Sequence, residues 1–114
     1  MITVVELPEF IKRSERLLKD SEERKNLVNY LAVHPAAGVI MKGTGGIRKL
    51  RWKTEDSGKR GGVRVIYYYH NEQYPLFLLT VFRKSEKVNL SKAERNELAK
   101  LTRILIESYG ENNG

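Results

Sequence analysis

The chain of 114 residues contains no cysteine. That excludes a disulfide scaffold, thiolate metal ligands and a cysteine nucleophile, and it fits a reducing compartment. The two histidines are His34 and His70, too few for a three-histidine zinc site and a thin stock for a Ser-His-Asp triad. No apolar run exceeds about eight residues, where a bilayer span needs roughly 20. The opening residues, Met1 to Glu6, lack the basic segment and small-residue cleavage site of a secretory signal. A cytoplasmic location without a membrane partner is therefore expected. What is present is globular: 40% hydrophobic and 31% charged residues, enough for one core in a single domain spanning residues 1–114.

The formal charge of +7 is unevenly placed. Residues 1–41 balance. Residues 42–64 carry Lys42, Arg48, Lys49, Arg51, Lys53, Lys59, Arg60 and Arg64 against Glu55 and Asp56. Arg83, Lys84 and Lys87 against Glu86 supply the rest of the excess. Two short segments thus hold the whole field, and the natural partner of such a field is a polyanion. Nucleic acid ranks before membrane because no basic amphipathic helix is involved. The alternative is a merely solubilising face.

Ile2 to Leu7 reads as a first strand. Pro8 opens a helix with Phe10, Ile11, Leu17 and Leu18 along one stripe. Asp20 and Glu23 have capping-box spacing before a second helix, which should stop near His34 because Pro35 disfavours helical geometry in its predecessor. Residues 35–46 read as a loop. Three strands follow at Ile47 to Lys53, Val63 to His70 and Leu76 to Phe82, the first with Leu50 and Trp52 on one face and Lys49, Arg51 and Lys53 on the other. Glu55 to Gly62 is a polar turn. Ser91 and Glu94 cap a last helix whose inner face is expected to hold Leu98, Leu101, Ile104 and Leu105, and which should fray over residues 110–114. The order β-α-α-β-β-β-α is that of an α+β domain.

Two glycine-containing stretches, Gly43-Thr44-Gly45-Gly46 and Gly58-Lys59-Arg60-Gly61-Gly62, lack the spacing of a nucleotide-binding loop and read as turns. Arg64 is more informative. It stands second in an otherwise apolar and aromatic strand, where a guanidinium must be paired or must line an open groove. Alternation puts it on one face with Ile66 and Tyr68, and Lys49 and Arg51 from the neighbouring strand can share that face. The functional reading is a phosphate clamp. The structural one is a salt bridge to Glu55, Asp56 or Glu86. Tyr68 could stack on a base or simply fill the core. Arg83, Lys84 and Lys87 follow the third strand of the run, and the meander is expected to carry them away from Arg64. His34 and His70 read as turn residues, and Trp52 as core.

Three blocks in this order, Gly43 to Arg51, Gly61 to Tyr68 and Leu78 to Lys87, resemble the RelE/ParE superfamily of toxins, closest to the HigB-like branch of type II toxin–antitoxin systems. The resemblance implies a compact β-α-α-β-β-β-α fold with a twisted antiparallel sheet and helices packed on it. It implies metal-independent endoribonuclease activity without a cofactor: mRNA is cut in the ribosomal A site when a ribose 2′-hydroxyl attacks the adjacent phosphate. It also implies a cognate antitoxin as partner, with operator DNA bound only through the antitoxin complex. By position, Arg64 would hold the scissile phosphate, Lys49 and Arg51 would contact RNA and help activate the 2′-hydroxyl, and Lys84 would neutralise the phosphate or leaving oxygen. Arg48, Lys53, Tyr68, Arg83 and Lys87 are the further RNA contacts expected. Several relatives carry a tyrosine or histidine where this chain has Leu90, which leaves Glu86 or a lysine to move protons. The competing functions are a gyrase poison of the ParE kind and a non-catalytic nucleic-acid-binding module.

Overall fold

A computed structural model describes residues 1–54, 62–87 and 89–113. The chain runs β1 (Val4–Glu6), α1 (Pro8–Leu17), α2 (Ser21–Val33), β2 (Val39–Ile40), β3 (Ile47–Trp52), β4 (Val63–Tyr68), β5 (Leu76–Arg83) and α3 (Lys92–Asn113). The five strands form one sheet in the order β1-β5-β4-β3-β2. Strands β2 to β5 pair antiparallel, whereas β1 joins β5 in parallel, with Val5 opposite Phe77. The sheet is antiparallel as expected from β2 to β5, and the parallel β1 makes it mixed at one edge. The loop expected over residues 35–46 also contains β2, two residues paired to Arg48 and Lys49.

Burial explains why β4 and β5 lie inside. Every residue of β4 is buried, and so is every residue of β5 except Arg83. Each strand alternates between two cores. Val63, Val65 and Tyr67 join Leu76, Leu78 and Val81 against Phe10, Leu17 and Leu18 and, from α2, Leu27 and Leu31. Ile66 and Tyr68 join Ile47, Phe77, Leu79 and Phe82 on the opposite face, against Leu98, Leu101, Leu105, Ile106 and Tyr109 of α3. The helical pair thus covers one face and α3 the other. An irregularity between Ile66 and Tyr67 shifts the β4–β5 register, so Leu79 packs in the α3 core and Thr80 lines a cavity beside Leu98 of the same helix.

Local chemistry sets the helix limits. Pro8 occupies the first turn of α1, where a missing N–H costs nothing. Asp20 accepts from the Glu22 N–H at 2.9 Å to start α2, and His34 caps its end. Ser91 and Glu94 form the reciprocal capping box of α3, at 2.8 and 3.1 Å. Two details of α3 differ from expectation. Ile104 is 59% exposed, and Ile106 and Tyr109 pack inward instead, because the stripe drifts around a long helix. The helix also continues through Gly110 to Asn113, where fraying was expected. Of the turn read over Glu55 to Gly62, residues 55–61 lie outside the described residues.

Candidate nucleic-acid interface

The register of β3 on β4 brings the predicted cations together. Arg51 is directly opposite Arg64, and Lys49 is opposite Ile66, one pair further along. Leu50 and Trp52 join the core under α1 and α2, so Lys49, Arg51 and Arg64 share the α3 face. Arg64 is 5% exposed while Arg51 is open to solvent. Desolvation, and then the charge of Arg51, push the Arg64 guanidinium below its ordinary pKa.

The β4–β5 register corrects the expected position of the second basic segment. Val63 pairs with Arg83 and Arg64 with Phe82. The end of β5 therefore lies beside the start of β4, next to Arg64 rather than away from it, because Arg64 is near the beginning of its strand. Lys87 leans back over the Phe82 ring, with Nζ 5.7 Å from the ring centroid, and pairs with Glu94 Oε2 at 2.6 Å. Lys87 is thus brought to the edge of the Arg64 face. Lys84 is exposed in the turn that follows β5, and Lys53 is exposed just past β3.

Three expected RNA contacts are placed differently. Arg48 belongs to the other face and donates from Nη1 to the Ala36 and Gly38 carbonyls, at 3.2 and 2.7 Å. Tyr68 is buried against α3, its hydroxyl 3.2 Å from His70 Nδ1, and so has no free ring face for a base. Arg83 is exposed one residue beyond Phe82, which turns it from the Arg64 face by strand alternation.

Glu86 is already occupied. It accepts from the Arg83 N–H at 3.1 Å and from Arg16 Nη2 at 3.2 Å. Burial alone would raise its carboxyl, but these two donors outweigh that and hold it below the ordinary carboxylate value. A carboxylate so stabilised is a weak proton acceptor, which argues against the base role and against a salt bridge to Arg64. The alternative partners Glu55 and Asp56 lie outside the described residues.

One contact was not legible in the sequence. Lys49 Nζ donates to Asn89 Oδ1 at 3.0 Å across 40 positions. No spacing rule links residues that far apart. The loop after β5 is thus tied to α1 by Glu86, to α3 by Lys87 and to β3 by Asn89. Among the described residues no group of three or more histidines and carboxylates could hold a metal ion, and no helix is long and apolar enough to cross a membrane.

Comparison with known proteins agrees with this architecture. The family described as RelE toxin of the RelE/RelB toxin–antitoxin system matches residues 13–112. Among solved structures, a mutant of the E. coli toxin RelE in the free state superposes with a TM-score of 0.58 at 18% identity. That match covers 91% of this chain and 98% of the E. coli one, and at this identity it speaks for the shared fold.

Proposed function

Since the chain belongs to the RelE toxin family, we propose that this toxin acts as a ribosome-dependent endoribonuclease that cuts mRNA in the A site. The observation that carries the reading is the Arg51–Arg64 pair. Two guanidiniums stand directly opposite each other, and burial together with the charge of Arg51 holds Arg64 below its ordinary pKa. An anion bound beside the pair would relieve their mutual repulsion, and a phosphodiester is an anion that planar guanidinium binds through paired hydrogen bonds.

In the proposed reaction the ribose 2′-hydroxyl gives its proton to water, its oxygen attacks the neighbouring phosphorus, the bond to the 5′-oxygen breaks, and that oxygen takes up a proton from water. The products are a 2′,3′-cyclic phosphate and a free 5′-hydroxyl. Negative charge grows on the non-bridging oxygens at the transition state, where the buried Arg64 and the neighbouring Arg51 would meet it. Lys49, next along the same face, would meet the 2′-hydroxyl in this reading. Lys84 neutralises the departing oxygen from the turn after β5. The ribosome supplies the in-line geometry by holding the codon. Lys53 and Lys87 are the remaining candidates for RNA contact on this side. The likeness of the three sequence blocks is closest to the HigB-like branch, which we take as the nearer relatives. A cognate antitoxin would silence the protein by covering this face, and operator DNA would be reached through that complex.

The test is to map new mRNA 5′ ends in a reconstituted translation reaction with the parent protein and Arg64→Ala, with naked mRNA alongside. Cuts within codons that need ribosomes and fall by orders of magnitude in the variant support the reading. Intact mRNA with folded protein overturns it, and gyrase inhibition and plain nucleic-acid binding are then the functions to assay.

A further inference from the structure

Resting on the ribonuclease reading, we propose that Asn89 is a positioning residue that fixes the Lys49 ammonium group on the face that carries the Arg51–Arg64 pair. The geometry is specific. Lys49 is the neighbour of Arg51 two residues along β3 on the same face, and its Nζ donates to Asn89 Oδ1 at 3.0 Å. A lysine side chain has four rotatable bonds, and an unanchored one spreads its charge over many positions. A single acceptor at the end of that chain selects one of them. Position matters here because an error of about 1 Å in a reacting group costs up to roughly a hundredfold in rate.

Asn89 is itself held by the fold. It stands just before Leu90, which is buried in the core under α3, and two residues before Ser91, which caps that helix. On its other side Lys87 is paired with Glu94. The amide therefore reaches Lys49 from a loop anchored at both flanks, and the start of α3 becomes part of the site through it. An amide suits this task better than a carboxylate of its own charge would. It accepts a hydrogen bond from lysine without adding a negative charge that would repel the RNA phosphate.

The experiment compares the parent protein with Asn89→Leu, Asn89→Asp, Lys49→Ala and the double variant Lys49→Ala/Asn89→Leu. Three quantities are read: the cleavage rate on programmed ribosomes, ribosome binding, and the Lys49 ¹⁵Nζ signal by NMR. Asn89→Leu is expected to slow cleavage about tenfold or more with ribosome binding within about twofold, and to shift the Lys49 Nζ signal. Asn89→Asp keeps the acceptor and should restore most of the NMR signature. The double variant should be no slower than Lys49→Ala alone, because the amide acts only through the amine.

Cleavage by Asn89→Leu at the parent rate overturns the positioning role, as does a double variant slowed by the product of the two single effects. An unmoved Lys49 signal in Asn89→Leu overturns the contact itself, independently of any activity. A parent protein that never cuts fails the ribonuclease reading and the positioning role together, while a moved signal in that case leaves the contact standing.

Discussion

Arg51 and Arg64 face each other in antiparallel register, like charges on adjacent strands, with Arg64 buried and Arg51 open to solvent. A pair of this kind is costly to the fold. Replacing Arg51 by glutamine should therefore raise stability by roughly 0.2–1 kcal/mol while lowering the cleavage rate. Urea denaturation and cleavage assays on the same preparation check both directions. A variant that loses activity and stability together would assign Arg51 a structural role.

Arg48 and Lys49 are adjacent in sequence and lie on opposite faces of the sheet. Arg48 is bound to the carbonyls of Ala36 and Gly38, so Arg48→Met should cost about 1–3 kcal/mol and leave cleavage by the folded fraction intact. Lys49→Met should do the reverse. Denaturation midpoints and rates per folded molecule separate the two outcomes.

Tyr67 fastens the same segment from the core. Its hydroxyl donates to the Pro35 carbonyl at 2.8 Å and accepts from the Gly38 N–H at 2.7 Å. Burial pushes its pKa up, with the Gly38 N–H acting in the opposite sense. Tyr67→Phe leaves both backbone groups without that partner and should destabilise by about 1–3 kcal/mol, measured by thermal unfolding. Amide exchange should accelerate first around residues 35–40.

Gly62 enters β4 at φ +71°, and a Cβ placed there would run into the carbonyl of Trp52. Gly62→Ala combines a left-handed backbone with a steric collision against main chain. It should cost at least about 2 kcal/mol, and soluble yield and denaturation report it. Gly45 also has positive φ, but its Cβ would meet open space, so Gly45→Ala should cost less.

Acid should unfasten the loop between β5 and α3. For Glu94 the Lys87 hydrogen bond, then the Ser91 N–H, hold the carboxyl below its ordinary 4.5; Glu86 is held below it by Arg83 and Arg16 against the effect of burial. Their folded values are depressed, so the stabilisation is complete above the unfolded value and is lost as pH falls through the folded ones. NMR titration should find both midpoints below 4.5, and amide protection factors over residues 83–87 and 89–91 should fall below that pH. Arg16→Ala should move the Glu86 midpoint upward. An unmoved midpoint would remove Arg16 from the account.

Much of the architecture was legible before any coordinates. Strand alternation sorted Lys49 and Arg51 from Leu50 and Trp52, the Ser91–Glu94 spacing marked the start of α3, and Pro35 marked the end of α2. These readings succeed because they depend on geometry repeated every two or four residues. The single buried arginine in an apolar strand was visible for the same local reason. Arg48 misled because a cation in a basic run looks alike whether it meets RNA or two carbonyls. The inner face of α3 was misread at Ile104 because one residue's error on a helix is a turn of about 100°.

What the sequence alone determined was the composition of each face: which cations share a side, and that Arg64 needs an anion or a partner. What only tertiary structure decided was proximity across long separations: Arg51 against Arg64, the end of β5 beside β4, and Asn89 on Lys49. Strand register is settled by how two complete cores pack at once, and that sum over many distant contacts leaves no mark in any one stretch of chain.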